Sequence, residues 1–197
     1  AEQQSHELNA LQLANFRAAR ARLPAAPASF SNSSGVFLGQ DYHFDLARPG
    51  AALYGVAPVA GQPNPLRSVV RLQARVIQVR EIEAGAQVGY GGRWTAPGPA
   101  RIATVSTGYA DGFLRSLGNR AKAYHGDIAL PVVGVVSMDT ITLDATGLPG
   151  PRLEPGALVD LIGEHNPVDA VAEAAGTIGY EILTSLGGRY FRTYLGG

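Results

Sequence analysis

Between residues 6 and 20 the apolar positions recur at helical spacing. Leu8, Leu11, Ala14 and Ala18 fall on one ridge, Leu13 and Phe16 lie beside it, and polar residues fill the remaining positions. This spacing predicts an amphipathic helix with one buried stripe. After Pro24 and Pro27 the apolar run Ala28-Ser29-Phe30 has strand length and ends in the polar loop Ser31-Asn32-Ser33-Ser34-Gly35. Phe44 to Gly55 gives a second passage from strand to turn, through Arg48, Pro49 and Gly50. Helix, short buried strand and loop in alternation is the α/β pattern, although too few units are present here to close a barrel or build an open sheet. The segment 56–66, with Pro58, Gly61, Pro63 and Pro65, reads as a linker.

Beyond it the period changes from helical to alternating. Val70, Leu72, Ala74 and Val76 alternate with Arg71, Gln73 and Arg75, as in a half-buried strand. The parity flips at Ile77 and Val79, which predicts a bulge or bend. Short strand-like runs follow at 101–106, 129–136, 140–145 and 157–163, separated by Gly, Pro and Asp, and together they predict a small all-β sandwich or barrel. Asn166 as N-cap, Pro167 at the first helical position and Gly176 as terminator frame a short helix. A second helix is expected over 178–186, stopping at Gly187-Gly188.

Composition narrows the chemistry. The 197 residues are 46% hydrophobic and 16% charged, enough apolar surface to offset chain entropy. Sixteen cationic side chains balance sixteen acidic ones, which argues against a general binder of nucleic acid or anionic membrane. The absence of cysteine removes disulfides, thiolate catalysis and Cys-based metal sites. No apolar run approaches the ~20 residues of a membrane span, and the polar, helical first stretch lacks the pattern of a signal peptide. A soluble, cytoplasmic protein is expected, with a first residue that reads as the middle of something longer. Fifteen of the sixteen cations are arginine; Lys122 is the only lysine.

Three loops combine glycine with polar groups. Ser31 to Gly35 and Arg48 to Ala51 follow strands, where backbone N–H groups can meet a phosphate; ordinary turns are the competing reading. The third, Val88-Gly89-Tyr90-Gly91-Gly92-Arg93-Trp94, presents a tyrosine ring on open backbone. Such a ring acts as a general base only if nearby positive charge lowers its pKa, and a packing or interface tyrosine is the bland alternative. Tyr109 and Tyr180 also sit beside glycines, and Ser137-Met138-Asp139 joins two strands. Asp139 and Asp144 lack the companions a metal needs, and His6, His43, His125 and His165 are scattered without ligand spacing.

In order along the chain stand SNSSG, DLARPGAALYG, VGYGGRW, STGYADGFLR, VVGVVSMDTITLD and IGYEILTSLG, and this series resembles the C-terminal half of a bacterial alanine racemase. The resemblance implies a mainly β chain. Residues 1–66 would be the last segments of a (β/α)8 barrel that binds pyridoxal 5′-phosphate, and 67–197 the family's C-terminal β domain. It implies that Ser33, the backbone N–H groups of Gly50 and Ala51, and the Tyr180 hydroxyl bind the cofactor phosphate. Arg48 would face the pyridine nitrogen; having no proton to give up, it would keep that nitrogen unprotonated and weaken its pull on electrons. Tyr90 would be the base that handles the α-proton of L-alanine, acting in the partner subunit of a homodimer with shared active sites. Met138 would offer its backbone N–H to the substrate carboxylate, and Tyr109 would line the entryway. The implied role is interconversion of L- and D-alanine for peptidoglycan by two bases on opposite faces of the substrate. The second base is the cofactor-bearing lysine, and Lys122, in NRAKAYHG, matches no such position. The N-terminal barrel half is therefore expected elsewhere, and the chain alone is expected to be inactive. Alternatives are a racemase of the same fold with another amino-acid preference, or a non-catalytic dimerisation module.

Overall fold

A computed structural model describes residues 1–149 and 153–196. The chain divides into two compact units, Ala1–Val69 and Val70–Gly197. The first opens with helix α1 (Glu7–Arg20), whose start is capped by His6, its Nδ1 accepting from the Leu8 N–H at 3.2 Å. Glu7 in the first turn and Arg17 and Arg20 in the last complement the helix dipole. Strand β1 (Ser29–Asn32) runs into a single helical turn, α2 (Ser33–Val36), and pairs in parallel with β2 (Leu46–Arg48). Parallel pairing places the loops after both strands at the same end.

The buried stripe of α1 differs from the one its periodicity suggests. Leu13 and Asn9 are buried, whereas Leu8 and Leu11 are 47% and 53% exposed. Phe16 sets the rotation: its ring lies 4.7 Å from Phe30 and 4.9 Å from Phe44, an aromatic cluster that turns the Leu13–Phe16 side of the helix toward β1. The Asn9 amide is satisfied by the carbonyls of Gln3 and Gln4, which is why a polar residue is tolerated on the buried side.

The second unit is built on a six-stranded antiparallel sheet. Its strands are β3 (Leu72–Ile82), β6 (Ala100–Val105), β7 (Lys122–His125), β8 (Ile128–Pro131), β9 (Ile141–Asp144) and β10 (Leu158–Ile162), in the order β8-β7-β10-β3-β6-β9. A bridge between Val132 and Leu143, with the Val133 N–H donating to the Thr142 carbonyl at 2.9 Å, joins the two outer strands and curls the sheet into a near-closed barrel. Leu72, Ala74 and Val76 point inward with Ile102, Val105, Leu130, Leu143, Val159 and Leu161. The expected parity flip is present: the β3–β6 register shifts between Val76 and Gln78, and Ile77 turns out to solvent. Of the run 129–136 only the first part is strand. Gly134, at φ +80°, ends the extended path and lets residues 133–135 pack against a hairpin formed by β4 (Gln87–Val88) and β5 (Trp94–Thr95). That hairpin is anchored by Val88, Ala96, Ala100, Ile102 and Val133, with Ile82 and Trp94 against them.

Helices α3 (Val168–Ala175) and α4 (Gly179–Ser185) follow the barrel. Pro167, not Asn166, occupies the cap of α3, because the buried Asn166 amide is committed elsewhere, donating to the carbonyls of Lys122 and Leu161. Gly176 ends α3 in the left-handed conformation, as its position suggests. No helix among the described residues is long and apolar enough to cross a membrane.

Candidate active site

The residues singled out from the sequence fall into two groups, one in each unit. In the first unit, Ser33 and Gly50 stand just beyond the ends of the parallel pair β1 and β2, so the strand pairing brings their loops together. The Ser33 hydroxyl, 3% exposed, accepts from the Gly50 N–H at 2.9 Å and from the Ala52 N–H at 3.2 Å. The amides that converge on the Ser33 oxygen are those of Gly50 and Ala52. Ala51 itself is buried and opens the short turn Ala51–Tyr54. The Asn32 carboxamide accepts from the Gly35 N–H at 2.9 Å and holds the serine loop in place.

Whether a phosphate suits this place is decided by the donors and by the space. Because its oxygen accepts from two amides, the Ser33 hydroxyl turns its own O–H outward as a donor for anionic oxygen. A Cβ built at Gly50 would meet nothing within 4 Å, so the loop is open on that side. The residues therefore fit a phosphate group. Arg48, at the end of β2, donates to the Ser29 hydroxyl at 2.5 Å and to the Phe30 carbonyl at 3.4 Å. These two contacts fix the guanidinium at the strand ends and use two of its five N–H groups.

In the second unit, Tyr90 sits at the tip of the β4–β5 hairpin and is 77% exposed. Gly89, Gly91 and Gly92 take φ values of +77°, +70° and +56°, so the loop follows a path that residues with side chains rarely adopt. Tyr90 borders a cleft of about 330 Å³, shared with Val135, Ser137 and Thr140 to Thr142. The Ser137 and Met138 carbonyls accept from the Tyr109 and Ala110 N–H groups, each at 3.0 Å. Ser137 thus connects the Tyr90 cleft to the loops bearing Tyr109 and Met138. Tyr180 lies on α4; the far end of that helix abuts the Tyr109 loop, where the Gly187 N–H donates to the Asp111 carbonyl at 2.9 Å.

Two further side chains organise this group, and no pattern in the sequence marks the first. Arg189 binds Asp139 at 2.7 Å and Asp111 at 3.2 Å, tying together the Met138 and Tyr109 loops. The hydrogen bond to Asp139 and the charge of Asp111 hold its guanidinium above its ordinary pKa. Beside it, burial pushes the Tyr190 hydroxyl above its usual pKa, opposed by its hydrogen bond with Thr107 at 2.7 Å. The second is Asn119, which touches the Tyr90 hairpin directly; only the Gly118-Asn119 dipeptide, a turn signal, hints at it. Lys122 lies exposed on β7, opposite Pro131 of β8.

Comparison with known proteins agrees with this division. The family model "Alanine racemase, C-terminal domain" matches residues 69–194, and "Alanine racemase, N-terminal domain" matches residues 1–58. A catabolic alanine racemase of Agrobacterium fabrum is 53% identical over 195 residues, covering 99% of this chain and 50% of that protein. A catabolic alanine racemase of Mesorhizobium japonicum is 54% identical over 197 residues, covering 100% of this chain and 51% of that protein. Among solved structures, the alanine racemase of Bartonella henselae, with covalently bound pyridoxal phosphate, superposes with a TM-score of 0.92 at 48% identity. That match covers 98% of this chain and 54% of the other. The chain spans about half the length of the curated relatives it matches. With both the sequence motifs and the fold accounted for, the chain belongs to the alanine racemase family.

Proposed function

We propose that this chain is the C-terminal half of a pyridoxal 5′-phosphate-dependent racemase that interconverts L- and D-alanine, working as a cytoplasmic homodimer with shared active sites and supplying D-alanine for peptidoglycan. The observation that carries the reading is the exposed Tyr90 on its glycine loop, sharing a cleft with Ser137 beside Met138.

When bound, pyridoxal phosphate supplies the electron sink that acidifies the substrate α-carbon. The chain's own residues do the rest. Ser33 and the backbone N–H groups of Gly50 and Ala51 hold the phosphate, with the Tyr180 hydroxyl completing the set. Arg48 donates to the pyridine nitrogen; because arginine keeps its proton, it leaves that nitrogen unprotonated and limits side reactions that need a stronger sink. The Met138 N–H meets the substrate carboxylate, while Tyr109 narrows the approach. Tyr90 takes the α-proton from L-alanine onto its phenolic oxygen, and returns it to the same face when the substrate is D-alanine. The base on the opposite face is a lysine of the N-terminal half, since Lys122 stands on the β barrel's surface, in a strand that carries none of the proposed site residues.

The test replaces Tyr90 by phenylalanine in a chain of full family length. Loss of one general base is worth about 10²–10⁴ in rate, and Tyr90→Phe is expected to lose that much with L-alanine. Wild-type rates in both directions would overturn the assignment. The 197-residue chain incubated alone with pyridoxal phosphate and D-alanine is expected to give no L-alanine; turnover would contradict the missing second base.

A further inference from the structure

We propose that Asn119 is a positioning residue for Tyr90, its side-chain amide locking the two ends of the hairpin loop that presents the phenol; the proposal rests on Tyr90 being a base.

The Tyr90 loop cannot hold its own shape. Three of the four residues Gly89-Tyr90-Gly91-Gly92 are glycines at positive φ, which restrict the backbone least, and the ring itself is largely in solvent. The loop closes as a single short helical turn over Tyr90–Gly92, and the Gly92 N–H reaches the Gly89 carbonyl only at 3.3 Å. The place of the hydroxyl therefore depends on what grips the loop from outside. At the first end, Gly89 is seated against the 134–135 backbone: a Cβ there would lie 3.3 Å from Val135 N and 3.6 Å from Gly134 Cα. In return, a Cβ at Gly134 would lie 3.0 Å from the Val88 carbonyl oxygen. At the other end, the Arg93 carbonyl accepts from Asn119 Nδ2 at 3.1 Å.

Asn119 joins these two grips. Its Oδ1 accepts from the Gly134 N–H at 2.6 Å, so one carboxamide spans the strand end behind Gly89 and the last residue of the Tyr90 loop. Its backbone is itself unusual, with φ +57°, and only one other non-glycine among the described residues shares a positive φ. Asparagine tolerates this region better than most residues, and its short planar carboxamide carries an acceptor and a donor side by side. Aspartate would keep the acceptor but turn a carboxylate oxygen toward the Arg93 carbonyl. Glycine would keep the backbone and lose both contacts.

Trp94, the only tryptophan, follows Arg93 directly and reports on this end of the loop. In the 197-residue chain, Asn119→Gly is expected to raise acrylamide quenching of Trp94 about twofold, with amide exchange at Gly134 faster while Val159 and Leu161 in the barrel stay protected. Asn119→Asp should lie between, keeping slow exchange at Gly134 but raised quenching. In the full-length racemase, a misplacement of the order of 1 Å costs about 10²-fold in rate, so Asn119→Gly is expected to lower kcat with L-alanine by 10- to 100-fold with little change in KM. The α-deuterium isotope effect should then rise with L-alanine, where Tyr90 removes the proton, and not with D-alanine. A merely structural role would not produce that asymmetry. Unchanged quenching and kcat in both variants, alongside an inactive Tyr90→Phe, would overturn the role of Asn119. A fully active Tyr90→Phe would instead overturn the reading beneath it.

Discussion

Gly108 lies where the Tyr109 and Met138 loops touch, and replacing it by alanine is a direct test of how tightly they are joined. Its φ of −159° is ordinary extended backbone, so the effect is steric alone. A Cβ there would lie 2.3 Å from the Met138 carbonyl oxygen and 2.4 Å from that of Ser137, both backbone atoms. Real Cβ atoms do not approach closer than 3.0 Å, so the 137–138 backbone must retreat by at least about 0.7 Å. The Tyr109 and Ala110 N–H bonds to those carbonyls, now 3.0 Å each, would stretch beyond hydrogen-bonding range. Losing two hydrogen bonds costs about 1 kcal/mol each, and overpacking adds about 1–3 kcal/mol, giving ~3–5 kcal/mol in all. For a unit of this size that corresponds to a fall in Tm of roughly 10–20 °C. Thermal unfolding followed by Trp94 fluorescence reads the unit concerned. Gly98→Ala is the control, since a Cβ there meets nothing within 4 Å and its φ is not positive; its melting point should stay within about 2 °C of wild type. If Gly108→Ala also melts within about 2 °C of wild type, the two loops are not locked as described.

Other expectations are more local. Arg189→Ala should accelerate amide exchange at Tyr109 and Ala110, whose acceptors it helps to hold through Asp111 and Asp139, and NMR exchange rates check this. Tyr190 holds its proton above the ordinary value of 10.0 because it is half-buried, so the unfolded state ionises first and stability falls as pH rises beyond about 10. Tyr190→Phe should therefore flatten the alkaline limb of a urea-denaturation series, and an unchanged slope would contradict the burial. Val88→Ala, beneath the Tyr90 hairpin at 1% exposure, should cost ~2 kcal/mol by urea unfolding.

The alternating residues 72–76 and the reversal at Ile77 were legible because period 2 has one physical cause, a sheet with one buried face. The short glycine-flanked tyrosines could be noticed in the sequence, and ordered motifs gave them roles. What escaped was tertiary. Leu8 and Leu11 read as the buried ridge of α1, but aromatic contacts of Phe16 with Phe30 and Phe44 rotate the helix away from them. Asn166 has the composition of a cap, yet strand carbonyls compete for its amide. Asn119 and Arg189 act across separations of 15 to 78 residues, on Gly134 and Asp111, which no local pattern encodes.

The strand order carries a consequence for synthesis on the ribosome. β10, the last strand in sequence, lies between β3 and β7, so the sheet cannot join up until residue 162 has emerged. At 5–20 residues per second, roughly 4–16 s separate the completion of β3 from that of β10. Throughout that interval the edge of β3 that will receive β10 stands open to any passing strand. Arg71 and Arg75 flank and occupy that stretch, and in the finished barrel they are held by Asp160 and the Gly156 carbonyl. Before β10 arrives the same charges are unpaired and repel a second copy of the edge, so these two arginines guard the nascent chain first and brace the barrel afterwards.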